Sequence, residues 1–516
     1  MPYNMGTMNR EINKNEINEK LNKMNSIEEF YADTGILVTG ATGFVGKALL
    51  EKLMRVCSRV TAIFILIRPK KNQTMEERFK KLIEDPIYDS VRTKNPSIFG
   101  KIYPIKSDVS LPDLGLSTKD RAMLRENVNI VFHIAATVRF NEPLDVAVNM
   151  NTKGTARIIK LCKELKHVIS IIHVSTAYSN INLSEIDEKV YTTSLEPSAV
   201  INMCEKQDKN LIKELEERIL KVHPNTYTFT KNLAEQIVAS NSNGLPVAIV
   251  RPSIIGASLE EPCPGWVDNI YGLTSVFLQI SKGTAKAIVG KKDAKLDVVP
   301  VDFVVDIIIC AAWHITLQHD NKVKVYNCTS NAYPFRWGQL KDMIVQCSIE
   351  TPLNDVLWYP CCKIVANKFV YNVLNILLHI LPAFIIDIFL KLLGSKPMMM
   401  KIIKYFNQLV AATAYFSTHE WTFHRNNITD MMKKVKTLKD NDIVKLDLRD
   451  MDWKKYAANY MMGIKKFILK EDYKPMKVVR QRLSLLYWIH QITMVSSTMV
   501  ILTIILRITY WLLICF

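Results

Sequence analysis

Tyr227 and Lys231 stand four residues apart in Tyr227-Thr-Phe-Thr-Lys231, the spacing that places two side chains on one face of a helix. A tyrosine normally keeps its proton to about pH 10, and a neighbouring ammonium stabilises the phenolate and draws that value down. The pair can then pass a proton to or from an oxygen held beside it. Upstream, an apolar run ends in Ser175-Thr176, hydroxyls at what would be the carboxyl edge of a sheet, where open α/β folds bind ligands. Either hydroxyl can hydrogen-bond a substrate carbonyl. Ser175 and Thr176 are both carried as catalytic candidates, Thr176 ahead of Ser175, because the sequence does not fix which faces the cleft.

These residues follow a phosphate-cradling turn. In Ile36-Leu-Val-Thr-Gly-Ala-Thr-Gly-Phe-Val-Gly46 an apolar strand runs through a glycine turn into a helix. Gly40 permits the tight turn, Gly43 lets backbone approach a pyrophosphate, and Gly46 permits close helix packing; Thr39, Thr42, Phe44 and Val45 complete the expected contact set. The spacing Gly-x-x-Gly-x-x-Gly resembles that of extended short-chain dehydrogenases. At the end of the next strand, where a preference for NAD would place an acidic residue, stand Arg68 and Lys71. Basic residues there would pair with a 2′-phosphate, so NADPH is the expected cofactor. The resemblance further implies that Asp108 and Val109 approach the adenine and that Ala135 and Ala136 line the cofactor cleft.

The elements that must position this chemistry are legible as βαβ units. Runs at Ile36–Thr39, Thr61–Ile67, Ile102–Ile105, Ile130–Ile134, Val168–Val174 and Val247–Val250 read as buried parallel strands. They predict an α/β fold with a six-stranded, doubly wound parallel Rossmann sheet. A helix from Lys47 to Met54 follows the glycine turn, and another carries Tyr227 and Lys231 through Gln236 and Ile237.

The expected organisation is a flexible tail over 1–30, the dinucleotide-binding domain over 31–360 with substrate-side elements after residue 260, a helical C-terminal domain over 361–475 and a membrane anchor over 483–516. Leu483–Phe516 is apolar for longer than the ~20 residues that cross a bilayer, with Arg480 and Arg482 flanking it upstream and Arg507 near its end. By the positive-inside tendency the arginines and the catalytic part face the cytosol. Ile364–Gly394 is also largely apolar, but Lys368, His379, Pro382 and Asp387 interrupt it. It either borders a substrate channel or lies in the membrane interface.

The formal net charge of +17 attracts polyanions: nucleic acid, anionic lipid or phosphorylated small molecules. No recognised nucleic-acid-binding fold or aromatic-interleaved basic stretch is present, so nucleic acid is set aside. The ten cysteines form no C-x-x-C pair and no regular spacing with histidine, so no metal site is expected and a reducing compartment is the simpler reading.

Taken together, Thr39-Gly-Ala-Thr-Gly-Phe-Val-Gly-Lys47, His133-Ile-Ala-Ala-Thr-Val-Arg-Phe140, Tyr227-Thr-Phe-Thr-Lys231, Pro264-Gly-Trp-Val-Asp-Asn269, Val299-Pro-Val-Asp302 and His379-Ile-Leu-Pro-Ala383 resemble the alcohol-forming fatty acyl-CoA reductases. The resemblance spans most of the chain; a long N-terminal tail and Ser107-Asp108, in place of Gly-Asp, depart from the family pattern. It implies reduction of a long-chain acyl-CoA to a primary alcohol with two NADPH and release of CoA, on a membrane of the endoplasmic reticulum or peroxisome. Within that reaction Tyr227 would be the general acid, Lys231 would bind the nicotinamide ribose, and Ser175 or Thr176 would hold the oxyanion. Two alternatives remain: a membrane-bound steroid or sugar-nucleotide dehydrogenase, and a catalytically silent membrane scaffold. Neither acyl-chain preference nor oligomeric state is readable.

Overall fold

The structure, a computed structural model, describes residues 25–70, 72–193, 195–317, 322–330, 335–472 and 474–515. Its chain divides into two compact units.

The first unit is built on a parallel sheet whose strands are β1 (Gly35–Thr39), β2 (Ala62–Ile67), β3 (Ile102–Lys106), β4 (Ile130–His133), β5 (Ser170–Val174), β6 (Val247–Pro252) and β7 (Lys324–Cys328). Their order across the sheet is β7-β6-β5-β4-β1-β2-β3, all neighbours parallel. The order reverses between β1 and β4, which opens a ligand crevice at their carboxyl ends. Strands β1, β2, β5 and β6 are buried at every residue, as a sheet covered by helices on both faces requires. Of the seven, only the edge strand β3 carries an exposed residue, Lys106, and it tolerates Pro104 because an edge position needs no second ladder bond.

The six expected strands are present, and β7 is a seventh that the sequence did not reveal. Its run Lys-Val-Tyr-Asn-Cys is short and partly polar, and it is separated from β6 by more than seventy residues. Asn327 explains the polarity: its Nδ2 donates to the carbonyls of Ile186 (3.1 Å) and His424 (2.8 Å), and the Glu188 carboxylate accepts from its backbone N–H at 3.0 Å. Burial pushes the Glu188 carboxyl up to about 7.

The helices that matter for the site are α1 (Phe44–Val56), α2 (Thr226–Asn241) and α3 (Val301–His314). Helix α2 is unusually polar for a buried helix. Glu235 forms a fully buried pair with Arg251 of β6 (Nη2 to Oε2 2.6 Å, Nε to Oε1 2.9 Å) and accepts from Ser179 Oγ at 3.0 Å. Arg251 also donates to the carbonyls of Asp187 and Lys189. Asn232 donates to Asn180 at 2.7 Å and accepts from Gln236 at 2.8 Å. The charges are therefore paired and further hydrogen-bonded, the condition for tolerating them in a low-dielectric interior.

Two boundary expectations need correction. Residues 25–30, assigned to the tail, are ordered: Ile27–Tyr31 is a helix whose Ile27, Phe30 and Tyr31 are buried, and Asp440 accepts from Ser26 Oγ, Ile27 N and Glu28 N at 2.8 to 3.0 Å. The rest of the expected tail, 1–24, lies outside the described residues. The division near residue 361 is interleaved rather than consecutive: Val299–Asn331 and Trp421–Leu448 belong to the first unit, because β7 completes the sheet and Trp421 and Phe423 pack on Tyr178.

The second unit takes Ile254–Val298, Ala332–Glu420 and Arg449–Phe516. The Pro264-Gly-Trp motif is explained there. Gly265 and Gly463 lie backbone to backbone, too close for a Cβ on either, and Trp266 is buried beside them. The remaining helices used below are α4 (Lys368–Leu392), α5 (Met399–Thr418) and α6 (Met476–Cys515). Two of them, α4 and α6, are long and apolar enough to cross a membrane.

Replacing Arg251 by Met strands the Glu235 carboxylate in the interior. The expected cost is about 3–5 kcal/mol of stability, read by urea denaturation of the purified protein; the double variant R251M/E235L should recover part of it.

Candidate active site

Close packing makes the glycine turn. Gly40 has φ +76°, and a Cβ there would stand 2.8 Å from the nitrogen of Ala135. Gly46, in the first turn of α1, presses on the Gly40 carbonyl and on Ala41 with no room for a side chain. Gly43 is the N-cap of α1 and supplies no side-chain cap, which leaves a helix N-terminus of the kind that binds phosphate. Phe44 and Val45 are half-buried in the same turn. The Thr39 hydroxyl accepts from the N–H groups of Ile134 and Ala135 at 3.1 Å each and meets His133 Nδ1 at 2.9 Å. It ties the ends of β1 and β4 together, and the half-buried Ala135 and Ala136 follow directly.

A positive cluster stands at the end of β2. Arg68 is 45% exposed at its side chain and lies 3.8 Å from the Asp108 carboxylate. Arg78, in the helix Met75–Ile83, donates to the Arg68 carbonyl and, at 3.0 Å, to the Thr42 hydroxyl. Lys70 is held below its usual value by Arg78 first, then by burial and Arg68; Arg78 is lowered by burial and by Arg68. Such mutual repulsion is relieved by an anion. Sequence reasoning missed Arg78, which belongs to no strand-end motif; a basic residue in the first turn of the helix after β2 was the available signal. Lys71 lies outside the described residues. Asp108 accepts from Ser110 N (2.9 Å) and Oγ (2.7 Å), and Val109 is buried against Gly154.

The structure brings Thr176, Tyr227 and Lys231 together at the end of β5. Thr176 Oγ1 donates to the Pro252 carbonyl at 3.4 Å and accepts from Tyr178 N at 3.3 Å, and its hydroxyl lies close enough to Tyr227 to favour the phenolate. The neighbouring Ser175 is buried, with no side-chain hydrogen-bond partner among the described residues. Lys231 is buried and its Nζ donates to the Val174 carbonyl at 2.7 Å. Burial lowers its ammonium to about 8, and Glu235 opposes that shift. The tyrosine differs from expectation: burial pushes the phenol up to about 12, with the Thr176 hydrogen bond opposing, so it is a neutral proton donor at pH 7. The lowering by Lys231 that the motif suggests is not found; desolvation sets the direction. Phe140 stacks on the Tyr227 ring at 5.9 Å.

Beneath Lys231 lie features that the motifs did not announce. His133 and His173 are paired across β4 and β5 with ring centroids 5.2 Å apart. Burial and the Lys231 charge hold both below the usual imidazole range, His133 at about 3. A π-helical turn, Val148–Lys153, presents Asn151, which joins the Thr137 backbone (2.8 and 3.0 Å) to Thr230 Oγ1 on α2 (3.0 Å). π-turns are frequent at functional sites.

This geometry fits a nicotinamide dinucleotide in a protein that reduces or oxidises a carbonyl carbon. Residues 38–308 and 378–471 each match a family model described as Male sterility protein, the first of them NAD-binding. Fatty acyl-CoA reductase 1 of Rattus norvegicus is 38% identical over 462 residues, 89% of this chain and 90% of its own length. The chain belongs to the fatty acyl-CoA reductase family. Fatty acyl-CoA reductase 2 of Homo sapiens is 36% identical over 468 residues, 90% of this chain and 91% of its own. Among solved structures, the reductase domain of a nonribosomal peptide synthetase from Mycobacterium tuberculosis shares the fold with a TM-score of 0.57 at 15% identity, covering 89% of this chain and 96% of that one. The terminal R domain of the myxalamid pathway does so with a TM-score of 0.56 at 21% identity, covering 84% and 91%. The NAD-binding match, residues 38–308, contains the glycine turn, and the cofactor this half binds is a nicotinamide dinucleotide.

In G46A the new methyl would displace the Gly40 carbonyl. We expect at least a tenfold loss of NADPH affinity, about 1.4 kcal/mol or more, in a fluorescence titration, with the thermal transition of the protein moved far less.

Proposed function

We propose that this chain is a membrane-anchored, alcohol-forming fatty acyl-CoA reductase that uses NADPH. The observation that carries the reading is the buried Lys231, whose Nζ donates to the Val174 carbonyl at the carboxyl end of β5, two residues before Thr176, and which stands one helical turn from Tyr227, in a member of this family. Taking a long-chain acyl thioester to a primary alcohol consumes two hydrides, which bound NADPH supplies, and releases free CoA. The chain's own residues hold and protonate the oxygen. Tyr227 and Thr176 donate hydrogen bonds to the carbonyl as charge develops on it, and Tyr227 gives up its proton when the aldehyde becomes alcohol. Donation suits a phenol kept neutral by burial. Lys231, still charged at neutral pH, stabilises the phenolate left behind and is placed to meet the nicotinamide ribose. Of the two hydroxyls first considered, Thr176 is favoured by its contact with Tyr227, and Ser175 is assigned no chemical step.

NADPH is preferred to NADH because Arg68, Lys70 and Arg78 crowd the end of β2, where the 2′-phosphate of the cofactor would lie and relieve their repulsion. Asp108 offsets only Arg68, at 3.8 Å.

The anchor is α6. Tyr487 and Trp488 stand at the start of its apolar stretch and Tyr510 and Trp511 near its end. From Trp488 to Trp511 a helix rises about 35 Å, against ~30 Å of hydrocarbon, so both aromatic pairs would sit at the membrane surfaces. Lys477, Arg480 and Arg482 precede the stretch and favour a cytosolic catalytic part on an endoplasmic reticulum or peroxisomal membrane.

Membranes bearing the protein, supplied with NADPH and palmitoyl-CoA, should yield hexadecanol by mass spectrometry; Y227F should lose turnover by 10²-fold or more while NADPH affinity stays within twofold. Hexadecanol from Y227F at the parent rate would remove Tyr227 from the chemistry, and no acyl product from the parent protein would refute the reading. In the same assay R78E should raise the KM for NADPH at least tenfold and leave that for NADH nearly unchanged.

A further inference from the structure

Helix α4 is polar on the inside and apolar on the outside. Its side toward the second unit carries Tyr371, Asn375, His379, Ala383 and Asp387, and both ring nitrogens of His379 and the Asp387 carboxylate are met within the protein. His379 Nδ1 donates to Asn375 Oδ1 at 2.9 Å, His379 Nε2 accepts from the backbone N–H of Lys286 at 2.9 Å, and Asp387 caps α5 by accepting from Met398 N, Met399 N and Met400 N at 2.8 to 2.9 Å. The opposite side exposes Phe369, Leu377, Phe384, Ile385, Phe389 and Leu392, with Phe369 76% and Phe389 60% accessible. A helix on the surface of a soluble protein has the reverse pattern, whereas a helix bathed in lipid satisfies its polar groups inward.

We infer that α4 is a lipid-docking surface lying lengthwise in the interface of an anionic phospholipid bilayer, distinct from the crossing made by α6. A crossing is excluded for α4 by its packing, since one side is fixed along its length to the strand Ala287–Val289 and to α5. A membrane is the occupant because both apolar helices leave from one cluster of the second unit. Lys286, whose N–H holds His379 of α4, donates through Nζ to the Tyr359 carbonyl at 3.2 Å and lies 5.2 Å over the Trp358 ring. Trp358 Nε1 donates to His490 of α6 at 3.1 Å, and Tyr359 stacks on the same imidazole at 5.8 Å. A bilayer crossed by α6 is therefore met by α4. Charge fixes the lipid class: between Asp387 and Glu420 there is no carboxylate, while Lys391, Lys396, Lys401 and Lys404 are present. Lys401 and Lys404 line an open groove with Ile380, Met400 and Ile403, a lysine rim over apolar surface of the type that takes anionic headgroups.

The test uses the full chain in vesicles of phosphatidylcholine and phosphatidylserine, with the photocrosslinker p-benzoylphenylalanine in place of Phe384 or of Phe389. Phospholipid adducts at both positions, with none at control sites replacing buried Tyr371 or exposed Val222, are the expected result. Phosphatidylserine should be enriched among the adducts, and K401Q/K404Q should remove that enrichment. Crosslinked dimers of the chain at Phe384 or Phe389, or an absence of lipid adducts there, would overturn the assignment; adducts without phosphatidylserine enrichment would overturn its anionic part. Because the readout is lipid contact, it stands or falls independently of catalytic activity.

Discussion

The first unit is organised around one buried cation. Lys231 keeps its ammonium at the bottom of the cleft, hydrogen-bonded to the last carbonyl of β5, and burial works against that charge. The surroundings answer it in three ways. Glu235, one turn on, supplies a negative charge and is itself held by Arg251. His133 and His173 add no competing charge, since burial keeps both neutral. The β5 carbonyl accepts the ammonium hydrogen bond directly. The cost of burying one lysine thereby accounts for the Glu235–Arg251 pair one turn along α2, the imidazole row in the middle of the sheet, and the polar loop from Ser179 to Lys189.

The part of the site that was legible in the sequence is the part fixed by local geometry. A glycine turn must follow a strand and open a helix, and two residues four apart on a helix must share a face, so Gly40, Gly43, Gly46, Tyr227 and Lys231 announce themselves. What stayed hidden depends on contacts between distant segments. Arg78 reaches Thr42 across thirty-six residues, and Glu235 meets Arg251 only because α2 packs beside β6. Thr176 and Ser175 could not be separated by reading alternation, because the choice depends on where the Tyr227 hydroxyl arrives. The direction of the Tyr227 shift stays hidden for the same reason: a nearby lysine is visible in a motif, and the desolvation that raises the phenol is not.

The fold shows the same division. Five of the six strands that the sequence declares are mostly apolar and buried throughout, as strands covered on both faces must be, and β3 is the edge. The seventh is partly polar because Asn327 is the clamp that joins β7 to the returning segment around His424. A residue serving two partners distant in sequence looks, in one dimension, like a break in an apolar pattern. Interleaving of the two units follows, since β7 can join the sheet only if the chain leaves the first unit after β6 and returns.

The same rule separates the two apolar helices near the C-terminus. In α6 the charged residues flank the apolar stretch or stand near its end, and the helix reads as a crossing by composition alone. In α4 they interrupt it, and counted by hydropathy alone His379, Pro382 and Asp387 would weigh against lipid on every side of the helix. That argument holds only if their side chains face outward. His379 and Asp387 instead lie on the inner stripe, with partners on the Lys286 backbone and the start of α5, and Pro382 follows a π-turn that relaxes the helix ladder around it. Total hydropathy counts these residues as penalties, whereas their positions around the helix remove the penalty from the outer face. The placement of polar groups around the helix, more than their number, decides which solvent α4 requires.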